Sequence, residues 1–228
     1  MKIALCLHGI SIGTNNKGQV VTYDKSFPLL NKNILNLNDV DIFIHTWNEN
    51  EEEIKTTKKL YEPKDSIFEK QIIFADDVPR HISNSNYDLP GTTKWHTTKS
   101  RWYSYMKSVE LKQKYERQNN FKYDFVFVTR FDNCFLTPFI FSEYDSNYFY
   151  ASDDFDPEVG FNETFFFSNS EAMDNYSTLF NHINEYINQG CQFSSHVLSK
   201  YHAIQIGLED KIRLTKKIIV DYQLERRI

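Results

Sequence analysis

Tyr123-Asp124-Phe125-Val126-Phe127-Val128-Thr129-Arg130-Phe131-Asp132-Asn133 is the stretch on which the reading of the fold turns. Residues 123–129 (YDFVFVT) carry the strongest strand signal in the chain, because aromatic and β-branched residues run together there. The run stops abruptly at the polar sequence Arg130-Phe131-Asp132-Asn133. Upstream, residues 2–7 form a short apolar run that ends in His8-Gly9, and VDIFIH (40–45) forms a second; both read as buried strands. A third short strand is expected at Ile72-Ile73-Phe74.

Helical patterns separate these strands. Phe27, Leu29, Leu30, Ile34 and Leu35 suggest one helix, and residues 49–60 an exposed charged one. Trp102, Met106 and Val109 fall at helical spacing within 98–118. Residues 76–94 are polar and read as a long surface loop. Downstream, strands are expected at 148–151 and 163–167, separated by the acidic turn 152–157. Met173, Tyr176, Phe180, Ile183 and Ile187 mark one face of a single long helix. A last helix spans 194–206 and stops at Gly207, and the tail holds one or two strands. The alternation predicts one α/β domain over 1–228, with a mostly parallel central sheet flanked by helices.

Composition narrows the function. The chain has 228 residues, 40% apolar and 25% charged, with a net charge of −5. That balance argues against binding nucleic acid through a basic surface. No apolar segment approaches the length of a membrane span. The N-terminal apolar stretch is too short for a secretory leader, so a cytoplasmic protein is expected. Three widely spaced cysteines, with no Cys-x-x-Cys, do not form a zinc site. The motifs of zincins, α/β-hydrolases, P-loop enzymes and dinucleotide-dependent dehydrogenases do not occur.

Four groups of residues could carry chemistry. In open α/β sheets ligands sit beyond the carboxyl ends of the strands, where Arg130, Asp132 and Asn133 fall. The arginine suits a phosphate, and the carboxylate suits a divalent cation that bridges phosphate oxygens. The bland alternative is a salt bridge at the strand end. Asp154 and Asp156, with Glu163 after them, are candidate bases; an exposed acidic turn is the alternative for the aspartates. Lys99 and Arg101 open the helix expected over 98–118 and could face an anion. His8-Gly9 lets backbone approach a ligand. Among seven histidines, His196 is the one considered as a metal ligand.

The segments IALCLHG, YDKSFPLLNKNI, DVDIFIHTWN, WYSYMKSVELKQKYE, NNFKYDFVFVTRFD, NETFFFSNSEAMDNYSTLF and SHVLSKYHAIQIGL occur in an order that resembles the small GT-A-type glycosyltransferase-like proteins of bacterial surface-polysaccharide loci and large DNA viruses. The resemblance implies one nucleotide-sugar-binding domain that takes a nucleotide-sugar donor and a glycan acceptor. Leu7-His8-Gly9 would approach the nucleotide. Arg130-Phe131-Asp132 would stand in for the metal-holding Asp-x-Asp, with an arginine replacing its first carboxylate. Asp132 would hold Mn²⁺ or Mg²⁺ if one takes part, with Asp154 or His196 as second ligand. Asn162-Glu163 would match an Asn-Asp near the acceptor, and His196 stands where relatives often carry an acidic residue. The arginine that commonly follows the first glycine in relatives is missing. The expected function is transfer of a sugar from a nucleotide-diphosphate donor to a glycan hydroxyl. Two alternatives stand beside it: a non-catalytic nucleotide-sugar or glycan-binding protein, and a metal-dependent nucleotidyltransferase.

Overall fold

The structure, a computed structural model, describes residues 1–14, 20–74, 94–154 and 159–225. In chain order the strands and helices are β1 (Lys2–Gly9), β2 (Gly13–Thr14), β3 (Val20–Val21), α1 (Ser26–Asn33), β4 (Asp39–Trp47), α2 (Glu51–Tyr61), β5 (Asp65–Glu69) and α3 (Lys94–Asn119). There follow β6 (Phe125–Arg130), β7 (Asn133–Phe135), β8 (Phe149–Ser152), β9 (Phe165–Ser168), α4 (Ser170–Tyr176), α5 (Leu179–Asn188), α6 (Ser195–Gln205), β10 (Ile212–Thr215) and β11 (Tyr222–Leu224).

Seven strands form one sheet in the order β10-β8-β9-β6-β1-β4-β5. Every neighbouring pair is parallel except those made by β9, which runs antiparallel to both β6 and β8. The protein is therefore α/β with a mostly parallel sheet, as the alternation of patterns predicts.

The pleat splits each apolar run between two cores. Ala4, Cys6, Phe43, Val126 and Val128 face Trp102, Tyr105 and Val109 of α3. Ile3, Leu5, Leu7, Ile42, Ile44, Phe125 and Phe127 face the other way, onto Leu30, Ile34, Phe139 and Phe141. The α3-facing rows end in polar residues: His8 follows Cys6, His45 follows Phe43, and Arg130 follows Val128. Because His8 pairs with both Arg130 and His45 in register, the three lie side by side at the carboxyl edge.

The opposite end of α3 is fastened by a buried ionic knot. Lys112 is fully buried and donates to Glu116 at 3.1 Å, to Ser170 at 2.7 Å and to Asp174. Glu116 also accepts from Ser170 at 2.7 Å and from the Tyr123 amide at 3.0 Å, so the knot joins α3 to α4 and the start of β6.

The structure corrects several boundaries. The single helix expected over Met173–Ile187 is two, α4 and α5. At the break, Ser177 and Thr178 turn their hydroxyls back onto the carbonyls of Asp174 and Asn175, each at 2.7 Å, which competes with continued helix. The third strand is β5 rather than 72–74; it is an edge strand, paired only with β4, and its apolar signal is just Ile67-Phe68. The strand expected at 163–167 begins at Phe165, which leaves Glu163 in the turn before it. Asn169 is the N-cap of α4 and accepts from the Ala172 amide. Gly207, at φ +78°, closes α6. Residues 75–93, Asp156 and Arg226-Arg227 lie outside the described residues. No described helix is long and apolar enough to cross a membrane.

Candidate active site

At the carboxyl ends of β1, β4 and β5 the polar residues are wired together through α3. The Gly9 amide donates to Ser104 Oγ at 2.8 Å. The same hydroxyl lies 2.7 Å from His45 Nδ1, and His45 Nε2 lies 2.8 Å from Glu69 Oε1 at the end of β5. Burial lowers the His45 pKa, which favours the neutral ring. A neutral His45 that accepts from Ser104 at Nδ1 and donates Nε2–H to Glu69 satisfies every group in the chain; the tautomer follows from that network. Gly9 sits at φ +99°, in the region that favours glycine. His45, Glu69 and Ser104 were not among the residues singled out in the sequence. The only available signal was a histidine at the end of an apolar run.

His8 is the centre of the group. It is buried, its ring packs edge-on against Tyr105 at 5.3 Å, and its Nδ1 has no hydrogen-bond partner. Burial holds its pKa well below the ordinary histidine value, and the nearby charges of Arg130 and Arg101 push it further down. The ring is therefore neutral, with Arg130 beside it in register on β6.

Each guanidinium meets a carboxylate. Arg130 Nη2 donates to Asp132 Oδ2 at 2.6 Å, so the strand-end salt bridge is present. Arg101 pairs with Glu163, which brings together a phosphate candidate and a base candidate. Glu163 is buried. His196 Nδ1 lies 3.5 Å from Glu163 Oε1 and 2.7 Å from the Phe161 carbonyl, while the Phe161 amide donates back to the His196 carbonyl at 3.2 Å. A Cβ at Gly160 would collide with that carbonyl, so the close approach of the turn to α6 requires glycine.

The other expected residues lie elsewhere or serve the scaffold. Asn133 is buried and donates to Thr129 Oγ1 at 3.0 Å and to the Thr164 carbonyl at 3.1 Å, locking the turn after β6 to the approach to β9. Lys99 does not project with Arg101: its ammonium lies 5.1 Å from the ring centroids of both Trp95 and Phe180, toward α5. Asp154 accepts from the Ile218 amide and, at 3.2 Å, from Asn162. Its burial raises its pKa.

Among the described residues, Asp132 and His196 are not brought together as two ligands of one cation site. Asp132 Oδ2 already carries a guanidinium, and His196 Nδ1 is engaged with the Phe161 carbonyl. Among the described residues no group of three or more His, Cys, Asp or Glu could hold a metal ion. The arrangement fits an anion site built on arginine instead.

No protein-family model matches the chain, and no curated protein matches it. The class is thus defined by fold and site alone: an α/β protein with Arg130 beside a neutral histidine at the carboxyl edge of its parallel strands and Arg101 on α3 paired with a buried glutamate.

Proposed function

We propose that the protein is a GT-A-type glycosyltransferase, moving a sugar from a nucleotide-diphosphate donor to a hydroxyl of a glycan acceptor. The observation that carries this reading is the pair of guanidiniums at the site, Arg130 beside His8 at the carboxyl edge of the sheet and Arg101 on α3 against Glu163. Sugar transfer from such a donor needs positive charge to stabilise the departing diphosphate, and two guanidiniums match two phosphoryl groups. The neutral His8 ring adds no charge, but its unpartnered Nδ1 offers one more polar contact to a ligand. Gly9 leaves room for the nucleotide to approach the backbone.

Glu163 is the base in this reading. An inverting transfer needs a carboxylate that accepts the proton of the acceptor hydroxyl as the new glycosidic bond forms and the bond to diphosphate breaks. Glu163 stands beside Arg101, so acceptor activation and leaving-group stabilisation fall on neighbouring groups. Asp154 is the weaker candidate because its two oxygens are engaged by Ile218 and Asn162. No step is assigned to a metal ion.

A second reading is a nucleotide-sugar-binding protein without turnover, and it is favoured by the fact that both arginines already hold carboxylates. Calorimetric titration with UDP-, GDP-, CMP- and dTDP-linked sugars, followed by assay of free nucleotide release, separates the two. Binding with slow release of nucleoside diphosphate supports the transferase. Binding without release supports the second reading, and no binding removes both.

A further inference from the structure

In each of the site's two ion pairs the cation faces outward and the carboxylate lies behind it. The Arg130 and Arg101 side chains are 22% and 33% exposed, against 7% for Asp132 and 2% for Glu163. An anion arriving from solvent therefore meets the guanidiniums first. We propose that Asp132 and Glu163 are internal stand-ins for the diphosphate: the incoming donor takes Arg130 from Asp132 and Arg101 from Glu163, and the exchange leaves the Glu163 carboxylate open to the acceptor hydroxyl. This rests on the diphosphate-donor reading above.

Three features support an exchange over a permanent lock. Arg130 makes a single hydrogen bond to Asp132, not the two-armed fork that a guanidinium forms with a well-matched carboxylate. Glu163 is buried, so its pairing with Arg101 gives back much of its Coulombic gain as desolvation. A diphosphate also presents more charge and more acceptor oxygens than one carboxylate, which favours it in a competition for the same guanidinium.

The exchange has a consequence for the order of events. Held by Arg101, Glu163 is a poor base, because a neighbouring cation favours the charged carboxylate. Once the donor has taken Arg101, the buried carboxylate keeps only His196 beside it, and the acceptor hydroxyl is a donor that can supply a further partner. The site therefore arms its base only when a donor is present. His196, at 3.5 Å, remains beside Glu163 throughout and limits where the freed carboxylate can move.

The test is calorimetric titration of UDP-glucose, GDP-mannose and dTDP-glucose into the full chain and three variants: Glu163→Gln, Asp132→Asn, and Arg101→Gln with Glu163→Gln. An amide does not compete for a guanidinium as a carboxylate does. Glu163→Gln and Asp132→Asn should each bind the donor about tenfold tighter than the unmodified protein. The gain at position 163 should vanish when Arg101 is also replaced. Unchanged or weaker binding by both single variants, with the unmodified protein binding normally, overturns the exchange and leaves the donor reading standing. A gain at position 163 that survives removal of Arg101 overturns it as well. If Glu163→Gln fails to fold, Asp132→Asn decides the matter alone. If none of the three donors binds any of the four proteins, the donor reading falls and the exchange with it.

Discussion

Ser104 Oγ accepts the Gly9 amide at 2.8 Å, so one hydroxyl on α3 holds the end of the sheet's central parallel strand. The same oxygen is 2.7 Å from His45 Nδ1, and it thereby fixes the spacing of β1 and β4 where their polar residues begin. Ser104→Ala strands the buried His45 ring nitrogen and the half-buried Gly9 amide at once. It should cost about 2–4 kcal/mol in urea unfolding, since a fully buried group left without a partner costs about 1–3 kcal/mol and the half-buried amide less. Ser104→Thr, which keeps the oxygen, should recover part of that loss.

Arg130→Gln removes the proposed phosphate contact and also leaves the buried Asp132 carboxylate without its partner. Donor affinity should fall about 10- to 100-fold, the scale of one charge-assisted hydrogen bond. Stability should fall as well. The double variant Arg130→Gln/Asp132→Asn separates the two effects: unfolding measurements should show stability regained, and calorimetry should show donor affinity still reduced.

Glu163→Gln should cut sugar transfer by about 10²–10⁴-fold, the usual contribution of a general base. The readout is transfer to a glycan acceptor at saturating donor, so a change in donor affinity does not obscure it. Near-normal transfer by this variant would move the base to Asp154.

Lys112 is buried among Glu116, Asp174 and Ser170, far along α3 from the site. Lys112→Met removes the buried cation of the knot and leaves Glu116 and Asp174 with only the more exposed Lys122, which should destabilise the protein by up to about 3–5 kcal/mol. Thermal unfolding of Lys112→Met beside Lys112→Arg checks this, and the arginine variant should lose less. A Met variant as stable as the parent would mean that the knot contributes nothing net.

Stability should fall as pH drops from about 6.5 toward 4. Burial lowers the pKa of His8, His45 and His202, the last from 6.5 to about 4. His202 accepts from the Tyr186 hydroxyl at 2.8 Å through Nδ1 and donates Nε2–H to the Asn175 carbonyl at 3.3 Å, an arrangement that needs the neutral ring. In the unfolded chain these histidines take up protons near 6.5, while the folded protein resists until lower pH. Above 6.5 their contribution is fully present; for His202 the loss is about 1.4 kcal/mol per pH unit between about 6.5 and 4, and for His8 and His45 it continues down to their own lowered pKa. Urea midpoints measured from about pH 7.5 to about pH 4.5 should show the decline, and His202→Gln should flatten it.

The amino-acid sequence by itself determined the alternation of strands and helices and the two-sided burial of β1, β4 and β6. It also marked where the central strand stops, at Arg130. These are local properties. Side-chain type and period specify whether a segment is strand or helix, and a polar residue ending an apolar run marks an edge. Where local signals are weak the reading slipped: β5 has one paired neighbour and two strong apolar residues, and the hydroxyls of Ser177 and Thr178 split an apparently continuous helix.

Which side chains meet was settled only by tertiary structure. His8 and Arg130 became neighbours through parallel register between strands far apart in sequence. Arg101 met Glu163 because β9 entered the sheet antiparallel beside β6 and left its preceding turn opposite α3. Ser104, His45 and Glu69, on three separate elements, joined for the same reason. Such contacts depend on strand order and helix placement, which follow from burial of the whole apolar surface and not from any one segment, so no local pattern announces them.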